Sequence, residues 1–201
     1  MKKVIITGAS GMIGQLVLQH CIASNQIGEV ISLVRKPSGK PNAKVREIVL
    51  TDFLDYRQSA DQFTGVDIAY YCLGAYTGSL PDAQFKTVTA DYTKAFAETL
   101  KVHSPQAVCC FLSGAGADLT EKSKTPFARY KGMAENDLMA KEFNRLVIFR
   151  PGYIYPVEKR KEPNIGYSIF RVLYPLIRML GDNMSIRSTE LAEAMFIAGF
   201  A

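Results

Sequence analysis

The sequence is poor in the residues that small proteins use for metal sites and covalent frameworks. It has two histidines, His20 and His103, each near the end of a helical stretch, and no local carboxylate spacing completes a ligand set around either. No metal is expected. Its four cysteines, Cys21, Cys72, Cys109 and Cys110, include no C-x-x-C pair and no disulfide-framework spacing, so they read as reduced core residues. No uninterrupted apolar run reaches the roughly 20 residues of a membrane-spanning helix. No secretory leader is legible either, because Met1-Lys2-Lys3 leads straight into a β-branched run; the expected location is cytoplasmic. A large excess of one charge is also missing. The formal charge is +5, with basic residues spread among acidic ones, which argues against nucleic acid as the main partner and suits a small anionic ligand.

What is present is a chain of 201 residues with 48% hydrophobic and 21% charged residues, the balance of a soluble globular protein. That length predicts one domain over residues 1–201, with a full core and no room for a second, as a monomer or homodimer. The chain is organised around Val4-Ile5-Ile6-Thr7-Gly8-Ala9-Ser10-Gly11-Met12-Ile13-Gly14. The β-branched run suits a strand buried on both faces, and Ile13, Leu16, Val17 and Cys21 recur at helical spacing. A glycine-rich turn feeding a helix N-terminus offers unpaired amide hydrogens and the positive end of the helix dipole to a phosphate or pyrophosphate. A dinucleotide is the natural guest of a strand, turn and helix in this order.

Further strands are predicted at Val30–Val34, Arg46–Leu50, Asp67–Leu73, Ala107–Leu112 and Leu146–Phe149. Helices alternate with them: one long helix starts at Pro81, with Phe85, Val88, Tyr92, Ala95, Phe96, Thr99 and Leu100 on one face, and another runs from Pro126 to Lys141. Six strands alternating with helices specify an α/β fold with a doubly wound parallel sheet, whose ligands bind at the carboxyl ends of the strands. Beyond Tyr153 the alternation lapses. A charged loop at Glu158–Glu162 precedes an apolar helical stretch, Ile165–Leu180, interrupted by Pro175, in which Ile169, Leu173, Leu176, Ile177 and Leu180 form one stripe and Arg171 and Arg178 share a side. Residues 153–187 are read as a substrate lid, the alternatives for the stripe being core, subunit contact or a membrane-surface anchor. Ser188 is read as the N-cap of a last helix that packs back on the sheet.

The second strand ends at Arg35-Lys36, cations where a ribose 2′-phosphate would be met, which favours NADP(H) over NAD(H); the alternative is a solvated basic loop with Lys40, Lys44 and Arg46.

The pattern Thr7-Gly8-x-x-Gly11-x-x-Gly14, with Cys72-Leu73-Gly74, Leu112-Ser113, Lys131-Gly132 and Arg150-Pro151-Gly152, resembles the extended and atypical short-chain dehydrogenase/reductases, and most of all their Tat-interacting oxidoreductase branch. The resemblance spans almost the whole chain. It implies an NAD(P)-binding Rossmann fold with a dinucleotide held by Thr7, Gly8, Ser10, Gly11, Met12, Ile13 and Gly14. It further implies Asp52 and Phe53 beside the adenine, Leu73, Gly74 and Ala75 over the adenosine, and Pro151 and Gly152 along the nicotinamide. Asp52 can equally cap the turn that follows it.

In that family a serine after the fifth strand works with a Tyr-x-x-x-Lys pair, whose members share a helix face because they lie four apart. The lysine lowers the phenol pKa and bonds the ribose, and the phenol passes a proton to the carbonyl oxygen. Ser113 and Lys131 occupy the serine and lysine positions, and Phe127 stands where the tyrosine belongs. Tyr130 is the nearest substitute, adjacent to Lys131 rather than one turn above it, and Tyr76, Tyr153 and Tyr155 are alternatives placed in loops. Two functions follow: a reductase of a small carbonyl-type substrate, or an NADP(H)-sensing regulatory protein in which Ser113 caps a turn and Lys131 only holds ribose.

Overall fold

The computed structural model describes residues 1–157 and 185–201. The apolar runs form six parallel strands, β1 (Lys2–Thr7), β2 (Ile27–Val34), β3 (Val45–Val49), β4 (Ile68–Tyr71), β5 (Val108–Leu112) and β6 (Arg145–Phe149), in the spatial order β3-β2-β1-β4-β5-β6. This is the doubly wound order in which the chain turns back on itself between β1 and β4, and the crevice at that switch point is where such sheets take ligands. Thr7 pairs with Tyr71 at the carboxyl edge, so the glycine turn and the Cys72-Leu73-Gly74 segment leave the sheet side by side.

Side chains alternate across the sheet, and each face buries its own cluster. Ile5, Ile31, Leu33, Ala69, Tyr71 and Phe111 meet Phe96 and Leu100 of α3 (Tyr92–His103) and Leu138 of α4 (Pro126–Met139). Val4, Ile6, Val30, Ile68, Tyr70 and Cys110 meet Ile13, Val17 and Cys21 of α1 (Met12–Ala23) and Leu191, Ala192 and Met195 of the last helix, α5 (Ser188–Ala198). The Tyr70 hydroxyl donates to the Phe196 carbonyl at 2.8 Å, fastening α5 to the sheet. All four cysteines are free, and burial pushes the Cys21 and Cys110 thiols up to about 12.

Three expectations are corrected. The long helix starts as α2 (Asp82–Lys86), with Pro81 as its N-cap, and passes through a π turn at Thr87–Asp91 before α3. One residue more than an α-helix allows shifts the inward face, so that Thr89, Ala90 and Thr93 become fully buried, Tyr92 and Ala95 pack on the core half-buried, and Val88 falls outside the core clusters. Tyr153 and Tyr155 do not lie in loops: Tyr153–Tyr155 is a short strand, β7, paired in parallel with β8 (Ser185–Arg187). Arg187, not Ser188, is the N-cap of α5, and the Ser188 hydroxyl accepts from the Val157 amide at 3.2 Å. The Glu158–Glu162 loop and the Ile165–Leu180 stripe lie outside the described residues. Among the described residues no helix is long and apolar enough to cross a membrane.

Candidate functional site

At the first corner the site is made of backbone. Gly8 has φ +72°, and a Cβ there would lie 2.5 Å from the Cys72 carbonyl oxygen, so both the conformation and the proximity of the neighbouring strand call for glycine. A Cβ on Gly14 would lie 2.2 Å from the Gly8 carbonyl oxygen, which lets α1 pack directly on the turn. The Gly11 amide donates to the Gly8 carbonyl at 2.9 Å, and Gly11 is the N-cap of α1. No side chain caps this helix, and its first turn carries no acidic residue, leaving orphan amides and an uncompensated dipole for an anion. Thr7 adds a buried hydroxyl with no hydrogen-bond partner among the described residues. Ser10 and Gly11 are exposed, Met12 is half-buried, and Ile13 is in the core, so what Ile13 can offer a ligand is its amide. These features fit a dinucleotide diphosphate.

Around this corner the structure sorts the predicted contacts. Arg35 and Lys36 are exposed at the end of β2 with no ion pair among the described residues. Lys44 instead donates to the Ile22 and Ser24 carbonyls at the end of α1, and Arg46 pairs with Glu29 at 3.1 Å. Asp52 accepts from the Leu54 amide at 2.9 Å, the turn-capping role, which leaves its second carboxylate oxygen for another donor. Phe53 is 2% exposed and packs its ring on Tyr56 and Tyr92, so its side chain belongs to the core and is not offered to an adenine. Leu73 packs on the sheet core and Ala75 against Phe85 and Tyr130, while Gly74 between them is exposed with open space beyond it. A separate groove of about 640 Å³ between the Arg57–Phe63 turn and α3 touches only Asp52 of this set.

At the second corner the site is made of side chains. The Ser113 hydroxyl, 7% exposed, donates to the carboxylate of Glu135, which is fully buried. Arg150 holds the same carboxylate through its Nε, 3.1 Å from both oxygens, and through a second guanidinium nitrogen. Lys131 donates from Nζ to the Leu112 carbonyl at 2.9 Å, above the Phe111 ring. Burial lowers its pKa to about 8, with Glu135 and then Cys72 acting in the opposite direction. The Ala115 amide donates to the Pro151 carbonyl at 2.8 Å, drawing the segment after Ser113 toward Pro151 and Gly152.

Ser113 and Arg150 are thus joined through Glu135, whose charge also acts on Lys131, and sequence reasoning missed it. Its signal was present: Phe127, Lys131 and Glu135 follow at intervals of four, one line along α4. Phe127 lies against the segment that follows Ser113, its ring tip 2.5 Å from where a Cβ on Gly114 would lie. Tyr130 faces elsewhere. Its hydroxyl donates to Asp82 at 2.7 Å and accepts from Arg129 at 3.1 Å, and its ring lies 6.0 Å from Phe85. The structure does not bring Tyr130 to the Ser113–Glu135 pair. Among the described residues no cluster of three or more histidines, cysteines or acids is placed to hold a metal ion.

Comparison with known proteins adds three findings. Residues 8–171 match the NAD(P)H-binding family. Protein FMP52, mitochondrial, of Eremothecium gossypii is 31% identical over 86% of this chain and 75% of its own length; Protein HTATIP2 of Rattus norvegicus is 29% identical over 81% and 66%. In fold, the chain is similar to yeast methylglyoxal/isovaleraldehyde reductase Gre2 complexed with NADPH, at TM-score 0.73 and 14% identity over 99% of this chain and 72% of that one. The relatives overturn the expectation of a cytoplasmic protein, since FMP52 is named as mitochondrial.

Proposed function

Because this chain belongs to the NAD(P)H-binding family, we propose that it is an NADP(H)-binding oxidoreductase-type protein acting on a small carbonyl/alcohol pair. The observation that carries this reading is the uncapped, acid-free start of α1 behind the Gly8 turn, with Arg35 and Lys36, exposed and without an ion pair among the described residues, at the end of the neighbouring strand. A bound nicotinamide dinucleotide supplies the hydride chemistry. The Thr7–Gly14 turn holds its diphosphate, Arg35 and Lys36 its 2′-phosphate, Asp52 and the Leu73–Ala75 segment its adenosine, Lys131 its ribose, and Pro151 and Gly152 line its nicotinamide end. Ser113 faces the reacting oxygen. This reading is supported by NADPH in the complex of Gre2, a protein of the same fold.

A second reading rests on Phe127. With a phenyl ring at the position of the proton-passing phenol, and the Tyr130 hydroxyl engaged by Asp82 and Arg129, the site supports nucleotide binding better than proton transfer, as an NADP(H)-sensing regulatory protein requires. Calorimetric titration with NADPH and NADH tests the common premise, and absence of heat with both removes it. Following NADPH absorbance with aldehydes, ketones and quinones then divides the readings: turnover by the natural chain removes the regulatory one.

A further inference from the structure

The partners of Glu135 fix more than its own position. An ionised carboxylate accepts hydrogen bonds and donates none, and a serine hydroxyl has a single proton and two lone pairs. Glu135 is fully buried, and Arg150, whose guanidinium stays charged, forks onto both of its oxygens, so the carboxylate is held in its acceptor-only form. Ser113 therefore gives its one proton to Glu135. What remains for a ligand is the lone pairs of the Ser113 oxygen.

From this we infer that Glu135 is a positioning residue that fixes Ser113 as a hydrogen-bond acceptor, so that the site prefers a ligand presenting a hydroxyl or other donor over one presenting a carbonyl oxygen. The inference rests on the reading that Ser113 faces the reacting group. It reverses the polarity of a serine that donates to a carbonyl, and it compounds the effect of Phe127: neither side chain offers a carbonyl oxygen a proton. The ligand class is accordingly a small alcohol, with Lys131 kept for the ribose and Arg150 bound to Glu135 rather than to ligand.

The test measures binding to the dinucleotide-loaded protein, with pairs that differ only in the oxidation state of one carbon: cyclohexanol and cyclohexanone, 2-butanol and 2-butanone, benzyl alcohol and benzaldehyde. For at least one pair the alcohol should bind about tenfold more tightly, the worth of one well-made hydrogen bond. Ser113→Ala should bring that ratio close to one while Glu135 keeps Arg150. Glu135→Gln should invert it, because a Gln amide can donate to the Ser113 oxygen and turn the serine proton toward the ligand. If Glu135→Gln fails to fold, the Ser113→Ala arm decides. Carbonyl members binding as well as or better than alcohols, no binding by any pair, or a ratio unmoved by Ser113→Ala would overturn the inference. Failure to bind NADP(H) at all is a different result and sinks the reading beneath it.

Discussion

The β1–α1 corner contributes mainly amides, carbonyls and the spaces between them, whereas the β5–α4 corner contributes a serine, a glutamate and an arginine bonded to one another and a lysine held on the neighbouring Leu112 carbonyl. The first kind of site is defined by what side chains must not be there: Gly8 and Gly14 leave no room for a Cβ. The second is defined by which groups are charged and which way each proton points. A backbone site tolerates little change and keeps its ligand class. A side-chain site can hold its shape while one group is exchanged for another, since α4 keeps its helix whichever ring stands at position 127.

The largest expected effect lies at the backbone corner. Gly14→Val places branched carbon where even a Cβ is 2.2 Å from the Gly8 carbonyl, and the chain should lose its cooperative thermal transition. A normal transition would show that the turn can move aside and that the two corners differ less than described. The next effect belongs to the side-chain corner. Phe127→Tyr should raise NADPH-dependent carbonyl turnover by about a hundredfold or more, the usual worth of a positioned proton donor, while leaving NADPH affinity within about twofold. Unchanged turnover in steady-state assays would mean that the proton passes by another route.

A third effect is a stability difference with pH. Lys131 has a folded pKa of about 8 against an ordinary lysine value of 10.5, so between these values the unfolded chain binds more protons and the lysine's contribution to stability rises with pH. The buried thiols act in the opposite sense, since burial raises their folded values. The difference between the natural chain and Lys131→Met isolates the lysine: urea unfolding should show the variant's advantage shrinking by up to about 3 kcal/mol from pH 7 to pH 10. A constant difference would mean that the lysine is not desolvated. The smallest effect is at the rim of the cradle, where Arg35→Ala should weaken NADPH about tenfold and NADH hardly at all; equal loss for both would free Arg35 from the 2′-phosphate.

The same contrast explains what could be read from the sequence. Three glycines at fixed spacing behind a β-branched run are local signals, and β1, the turn and α1 came through with their boundaries nearly intact. The π turn at Thr87–Asp91 has no such signal, because nothing in the composition of Thr-Val-Thr-Ala-Asp distinguishes an extra residue from an ordinary helical turn. Strand β7 is only three residues long, too short to show alternation, and its partner β8 is distant in sequence. The resemblance that names Phe53 transfers positions and not side-chain directions: its ring lies in the core, and what it can offer a ligand is its backbone. Glu135 was legible as a helical neighbour of Lys131, but its meaning depended on Arg150, which reaches it only once β6 lies beside β5.

The π turn has a consequence of its own. Phe85 on α2 walls the small cluster around Tyr130 and Phe127, while Phe96 and Leu100 on α3 fill the main core. The extra residue between them acts as a phase shifter, rotating one half of a continuous rod by about 100° relative to the other, the turn that one helical residue makes. Removing a single residue from Thr87–Asp91 would restore ordinary α winding and leave Phe85 and Phe96 on the faces they now occupy, whereas straightening the turn with all its residues kept would swing one of them off its face. The extra residue thus serves the small cluster beside α4 and the main core from one continuous rod.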